Sequence, residues 1–131
     1  MMVFAQQGQP RPHIGDHWHA VYEIWVCGEK QTVLPRFEGG VHTHGSGVIH
    51  IHPTTASEEG PGAALAKFFE YGGYMLTRDS IAIPGVAMRN GDSCEDGGPG
   101  QVRVLVNGAP IEDFVSYIPN DGDKIRIGFG P

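Results

Sequence analysis

The sequence has few basic residues, and they are scattered along the chain. Nine lysines and arginines stand against fifteen aspartates and glutamates, which gives a formal net charge of -6 at pH 7 and a pI near 5.5. A surface that follows nucleic-acid phosphates needs clustered positive charge. The composition therefore argues against a nucleic-acid partner.

Long apolar runs and the common nucleotide and hydrolase motifs are also missing. The longest apolar candidate, AVYEIWVC from Ala20 to Cys27, is interrupted by Glu23 and is far shorter than the roughly 20 residues that span a bilayer. The chain contains no Walker loop, GxGxxG, GxSxG or HExxH motif. A membrane span in this chain, nucleotide binding and serine hydrolysis therefore have no support in the sequence.

Cysteine is scarce, because Cys27 and Cys94 are the only two. Neither belongs to a CxxC motif, so the sequence does not indicate a zinc site built on thiolates. The pair allows one disulfide that closes a long loop and implies an oxidising compartment, while two separate buried thiols are the alternative. Near the start, Val3 and Ala5 fit the end of a cleaved secretory signal as well as they fit an ordinary leader.

Length and composition indicate one globular domain. The chain has 131 residues, 40% of them hydrophobic, with 20 glycines and 10 prolines. These values are typical of a turn-rich and strand-rich fold. Residues 1–15 lack periodicity and are predicted to form a disordered tail, so the domain is expected to cover residues 16–131.

Hydrophobic periodicity predicts one long strand and one helix. In HWHAVYEIWVCG, residues 17–28, side chains alternate between two faces, which is typical of a strand. One of these faces carries Trp18, Ala20, Tyr22, Ile24 and Val26. In AALAKFFEYGG, residues 63–73, Leu65, Phe68 and Phe69 recur at helical spacing before two glycines, which predicts a short helix.

The last third of the chain predicts further strands. In residues 102–106, before an Asn-Gly turn, and again in residues 125–129, every second side chain is apolar, which predicts two strands. Residues 114–118 predict a short third strand. Before them, GVAMRNGDSCEDGGPG, residues 85–100, is expected to be loop over its whole length.

Histidine is the residue type with the most informative spacing. Six of the seven histidines form three HxH pairs: HWH at 17 and 19, HTH at 42 and 44, and HIH at 50 and 52. Random placement would give roughly a third of one such pair. On a strand, residues i and i+2 point to the same face with Cα atoms about 6.6 Å apart, close enough for two imidazoles to reach one ion.

The segment HTHGSGVIHIHP, residues 42–53, predicts a β-hairpin with four imidazoles on one face. If the connection has an odd number of residues, as Gly45-Ser46-Gly47 suggests, even-numbered residues of one strand face even-numbered residues of the other. All four histidines then lie on the same face. A three-residue connection would pair His42 with His50, and a five-residue connection would pair His44 with His50. The isoleucines between them would point to an apolar layer. We expect the HWH pair to join the imidazole face from a neighbouring strand.

This pattern predicts a transition-metal site. The predicted ligands are His17, His19, His42, His44, His50 and His52. Imidazole without thiolate suits zinc, copper, iron or nickel and does not choose among them. Six imidazoles exceed the three or four that one such ion normally takes, so they predict either a dinuclear site or one site with supporting histidines. His13 is left out, and a pH-sensing or merely polar histidine face is the alternative.

No catalytic residue is predicted. Hydrolysis by metal-activated water would need a carboxylate near the metal. Glu23 shares the histidine face, but it lies about 13 Å along the strand from His19. The remaining candidates are interpreted as solvated loop charges: Asp16, Glu38, Glu58 and Glu59.

Several segments together resemble a family of uncharacterised bacterial proteins, common in actinobacteria, in which this domain often follows a membrane anchor. The resemblance rests on GDHWHAVYEIWVCG, GGVHTHGSGVIHIHP, the predicted helix, NGDSC and QVRVLVNG, and it spans most of residues 15–130. It implies an extracytoplasmic or secreted setting, with a cytoplasmic one still open, and it implies no activity. The family's hairpin often carries Asp where this chain has Ser46.

The C-terminal third, VRVLVNG to NDGDKIRIGFG, resembles the first and last strands of ubiquitin-like (β-grasp) sulfur carriers. The sequence given ends in Gly130-Pro131 and not in the Gly-Gly that such carriers activate. This resemblance therefore implies fold and not function.

We expect a β-rich α+β domain, a single sheet or small barrel with one helix, for which a β-grasp-like topology is one form. An all-β cupin-like barrel is the alternative, although a cupin would place Glu a few residues after HxH. The first functional hypothesis is a protein that sequesters, delivers or senses a transition-metal ion. The second is a small metalloenzyme, either a copper or iron oxidoreductase or a zinc hydrolase, and the third is a protein-interaction module. Homo-oligomerisation stays open.

Overall fold

A computed structural model of the chain describes residues 10–95 and 97–131. Its strands are β1 (Trp18–Val26), β2 (Glu29–Lys30), β3 (Val41–His42), β4 (Val48–Ile51), β5 (Met75–Leu76), β6 (Ser80–Ile83), β7 (Val86–Arg89), β8 (Ser93–Cys94), β9 (Gly98–Pro99), β10 (Gln101–Val106), β11 (Ala109–Pro110) and β12 (Lys124–Gly130). The helix α1 (Leu65–Tyr71) follows 3-10 turns at Ala56–Glu58 and Gly60–Ala63. The fold is β-rich α+β, as predicted.

The largest sheet has two parallel strands, β1 and β12, at its centre. Its strand order is β11-β10-β12-β1-β4-β3, and β2 also pairs with β1. Parallel neighbours need a long connection, and α1 lies within it. The β-grasp-like form of this fold stays a prediction. Two smaller sheets, β5-β6-β7 and β8-β9, complete the described strands, and all three sheets are open. The cupin-like barrel is therefore wrong for the described part of the chain.

One face of β1 belongs to the hydrophobic core. Its even-numbered residues from Ala20 to Val26 are buried, while His19 and Val21 on the other face are exposed. The helix α1 packs on the buried face through three fully buried side chains, Leu65, Phe68 and Phe69. Both amphipathic predictions are thus confirmed, and the histidine face of β1 is left on the outside.

Two predictions in the second half of the chain are wrong. Residues 85–100 are not one loop, because β7 folds back on β6 with Ile83 facing Val86 across Pro84-Gly85. Gly85 has a φ of +76°, which a tight turn of this kind needs.

Residues 114–118 do not form a strand. The carbonyl oxygens of Val115 and Tyr117 instead accept hydrogen bonds from the backbone N–H groups of Ala66 and Leu65, at 3.3 and 2.7 Å. These donors belong to the first turn of α1 and have no partner within the helix. The segment therefore caps the helix and does not extend a sheet.

The predicted tail, residues 1–15, lies mainly outside the described residues. Its last six residues are described, and they contact the domain. The N–H of Gly60 donates to the carbonyl of Pro12 at 2.9 Å, and the N–H of Ile14 donates to Glu59 at 2.8 Å. Described contacts therefore begin upstream of Asp16, the predicted start of the domain. None of the described helices has the length and apolar character needed to cross a membrane.

Cys27 and Cys94 form a disulfide with their Cα atoms 5.5 Å apart. The bridge joins the end of β1 to β8. The alternative of two separate thiols is therefore wrong, and the two cysteines tie the second half of the chain to the main sheet.

Candidate metal centre

Strand register places three histidines in one row across β1, β4 and β3. His19 faces His50 in the antiparallel β1–β4 pair, and His50 faces His42 in the β4–β3 pair. The facing of His42 and His50 is the one predicted for the three-residue connection Gly45-Ser46-Gly47, so that prediction is confirmed. The isoleucines of β4 are fully buried on the opposite face, as expected.

The rings of all six HxH histidines form one connected group, which we call the histidine patch: His17, His19, His42, His44, His50 and His52. His50 is its centre, with ring centroids 4.7 Å from His19, 4.4 Å from His44 and 5.0 Å from His42. His17 extends the group, because its ring lies 4.7 Å from His19 and stacks on His52 at 4.6 Å. The structure thus brings all six predicted residues together.

The patch contains two groups of three histidines whose ligand atoms lie within 4.8 Å of one another. One is His17, His19 and His50, and the other is His42, His44 and His50. Tetrahedral zinc with bonds of about 2.05 Å needs nitrogens about 3.4 Å apart, a separation below the 4.8 Å limit that both triads satisfy. Each triad supplies three imidazoles and leaves one coordination position open. His52 belongs to neither triad.

His50 and His42 are the half-buried members of the patch, and the others are exposed. Burial and, to a smaller extent, the nearby imidazoles of His44 and His19 lower the pKa of His50 to about 4, because both disfavour a further positive charge. Burial also lowers the pKa of His42. Both residues therefore favour the neutral form, which is the form that binds metals.

The ring of His42 is oriented by a backbone carbonyl. Its Nδ1 lies 2.7 Å from the oxygen of Gly39, so Nδ1–H donates to this carbonyl and Nε2 is left to bind a metal. Metal-binding histidines commonly hold their second nitrogen in this way.

Glu58 holds the backbone on both sides of the β3–β4 hairpin. One oxygen accepts the N–H of Gly40 at 2.8 Å, and the other accepts the N–H groups of Thr54 and Thr55 at 2.8 and 3.1 Å. Burial alone would raise the pKa of Glu58, but these hydrogen bonds outweigh it and the pKa is lowered. The interpretation of Glu58 as a solvated loop charge is therefore wrong. The TxxE spacing from Thr55, typical of a helix capping box, was the available signal.

Asp121 is a second residue that the sequence did not indicate. Its Oδ1 accepts the backbone N–H of His19 at 2.8 Å, and the N–H of Gly122 donates to the carbonyl of His19 at 2.8 Å. The turn before β12 therefore fixes the backbone of His19. This contact joins residues 102 positions apart, which no local pattern reveals.

Carboxylates contribute to neither triad within the described residues. Asp16 pairs with Arg11, Glu38 with Arg36, and Glu23 with Lys30 and Arg126. The described triads are therefore made of imidazole alone, and the geometry identifies no general base.

No protein-family model matches the chain, and no curated protein sequence matches it. Function is therefore inferred from the geometry of the histidine patch, and the resemblance to a bacterial family stays a prediction.

Proposed function

We propose that the protein binds transition-metal ions through the histidine patch. The observation that supports this most directly is the position of His50, which is shared by two triads made only of imidazole. Neutral imidazoles on a rigid sheet lose little conformational freedom when they bind an ion. Zinc, copper, iron and nickel all accept such ligands.

We further propose that binding serves to sequester, deliver or sense the ion. Most rings of the patch are exposed, so an ion held there can exchange with solvent and with other ligands. The disulfide supports an extracytoplasmic setting, since such bonds persist in oxidising compartments.

A small metalloenzyme is the second candidate function. It is favoured by the open coordination position of each triad, which a catalytic metal site needs for water or substrate. Zinc hydrolysis is the weaker form of this candidate, because the described triads have no carboxylate to act as a base. Copper or iron redox chemistry does not need a carboxylate base.

Replacement of His50 tests the proposed binding. Protein purified without a nickel column and stripped with chelator would be titrated with zinc, and bound zinc measured by elemental analysis after desalting. We expect H50Q to bind zinc at least about tenfold more weakly than the wild type, because both triads lose a ligand. The matched control is H13Q, since His13 lies outside both triads; it should bind as the wild type does. Wild-type affinity and stoichiometry in H50Q would contradict the proposal.

Two double variants separate the triads. H17Q/H19Q leaves His42, His44 and His50 intact, and H42Q/H44Q leaves the other triad intact. Each should keep zinc binding that H50Q loses. At a free zinc concentration of 100 times the dissociation constant, binding should stabilise the wild type by about 2.7 kcal/mol, which a melting curve detects.

A further inference from the structure

The outer face of β1 continues beyond the histidine patch as an apolar surface at the centre of the sheet. Val21 is 46% exposed, although β1 lies between two other strands. It faces Val48 on β4 and Lys124 on β12. A single exposed valine is ordinary on a protein surface, but this one has a second valine on one side of it and a cation on the other.

A cavity of about 620 Å³ lies over this surface. Its apolar lining includes Val21, Val48 and Leu105, and its cationic lining includes Lys30, Lys124 and Arg126. A few polar groups over an apolar floor are typical of small-molecule sites.

The charge of the lining favours an anion. Glu23 is the carboxylate that lines the cavity, and it pairs with Lys30 at 3.3 Å and Arg126 at 3.2 Å. Lys124 has no ion-pair partner among the described residues. Three cations against one carboxylate make this wall positive on a chain whose formal net charge is -6.

The cavity borders the histidine patch. Val21 follows His19 by two residues on β1, and Val48 precedes His50 by two residues on β4, which places each pair of Cα atoms about 6.6 Å apart on the same face. A molecule in the cavity therefore lies next to the His17, His19 and His50 triad.

We propose that this cavity binds a small organic carboxylate. The carboxylate pairs with Lys124, and the apolar part of the molecule packs on Val21, Val48 and Leu105. Because these contacts involve no ligand of a metal ion, the site does not depend on metal binding, and its test uses metal-free protein.

Benzoate is the probe, and its binding would be followed by NMR titration of the backbone amides. We expect benzoate to shift the amides of Val21, Val48 and Lys124, and the neutral analogue benzamide to bind about threefold to fivefold more weakly, the effect of losing one solvated ion pair. K124Q should weaken benzoate binding by a similar factor. V21S should weaken the binding of both probes, because it removes part of the apolar floor.

The matched control is K67Q, because Lys67 pairs with Glu70 on α1, away from the cavity. It should bind benzoate as the wild type does. Equal affinity for benzoate and benzamide would overturn the proposal, as would benzoate binding that K124Q leaves unchanged. Inorganic phosphate producing the same shifts as benzoate would also overturn it, because the apolar contacts would then contribute nothing.

Discussion

At the scale of single residues, His50 is the position on which the candidate site depends. Its ring contacts three other imidazoles of the patch, and it belongs to both triads. Its pKa of about 4 follows from burial and from these neighbours, since each protonated ring would repel the next. Metal binding involves no such repulsion between rings, because a metal ion binds the neutral imidazoles that the fold already favours.

The lowered pKa of His50 predicts how the stability of the metal-free protein depends on pH. An unfolded histidine titrates near 6.5, whereas His50 in the folded protein titrates near 4. Between these values the unfolded chain binds more protons, so the free energy of unfolding should fall as pH decreases. His42 acts in the same direction.

Urea denaturation of metal-free protein at pH 7 and pH 5 would measure this effect. Carboxylates contribute little there, because their ordinary pKa values lie near 4. H50Q should lose less stability than the wild type between the two pH values. The same loss in H50Q and the wild type would show that His50 does not titrate as the structure indicates.

At the scale of elements, the sequence predicted the parts of the site that local periodicity determines. The alternation in β1 and the odd connection between His44 and Val48 were sufficient to place histidines on single faces. The histidine spacing predicted that the HWH pair would join this face, but not that His19 would face His50, because this register joins strands that are distant along the chain. The roles of Glu58 and Asp121 depend on similar non-local contacts.

The hydrogen bonds of Glu58 predict that E58Q weakens the hairpin. The uncharged amide is a poorer acceptor, so we expect the free energy of unfolding to fall by about 1–3 kcal/mol. Zinc affinity should fall by up to about tenfold, because Glu58 fixes Gly40 beside the carbonyl that orients His42. Urea denaturation and zinc titration would measure the two effects.

The neighbouring variant E59Q is the control for this prediction. The side chain of Glu59 accepts the N–H of Ile14, and no side-chain hydrogen bond between Glu59 and the hairpin is found among the described residues. E59Q should therefore keep wild-type zinc affinity whatever its stability. If E58Q and E59Q had the same zinc affinity, Glu58 would have no part in positioning His42.

At the scale of the whole molecule, the two faces of the main sheet are used differently. One face packs on α1 and forms the core, and the other carries the histidine patch at one end and the cationic cavity beside it. The disulfide lies at the far end of β1, since Cys27 is about 26 Å from His19 along an extended chain. The disulfide and the two triads are therefore separated along one strand.

This separation predicts that removal of the disulfide lowers stability and leaves metal binding intact. Cys27 and Cys94 are 67 residues apart, and closing a loop of that length restricts the unfolded chain enough to stabilise the fold by roughly 4 kcal/mol in the chain-entropy model. C27S/C94S should therefore unfold at a lower urea concentration than the wild type. At 25 °C in the absence of denaturant, its folded fraction should bind zinc with wild-type affinity, because the triads lie at the other end of β1.

Circular dichroism would establish the folded fraction of the variant, and a thiol titration of denatured, unreduced wild type should find no free thiol. Two free thiols would show that the bridge is absent, and a folded variant with weakened zinc binding would show that the two ends of β1 are coupled.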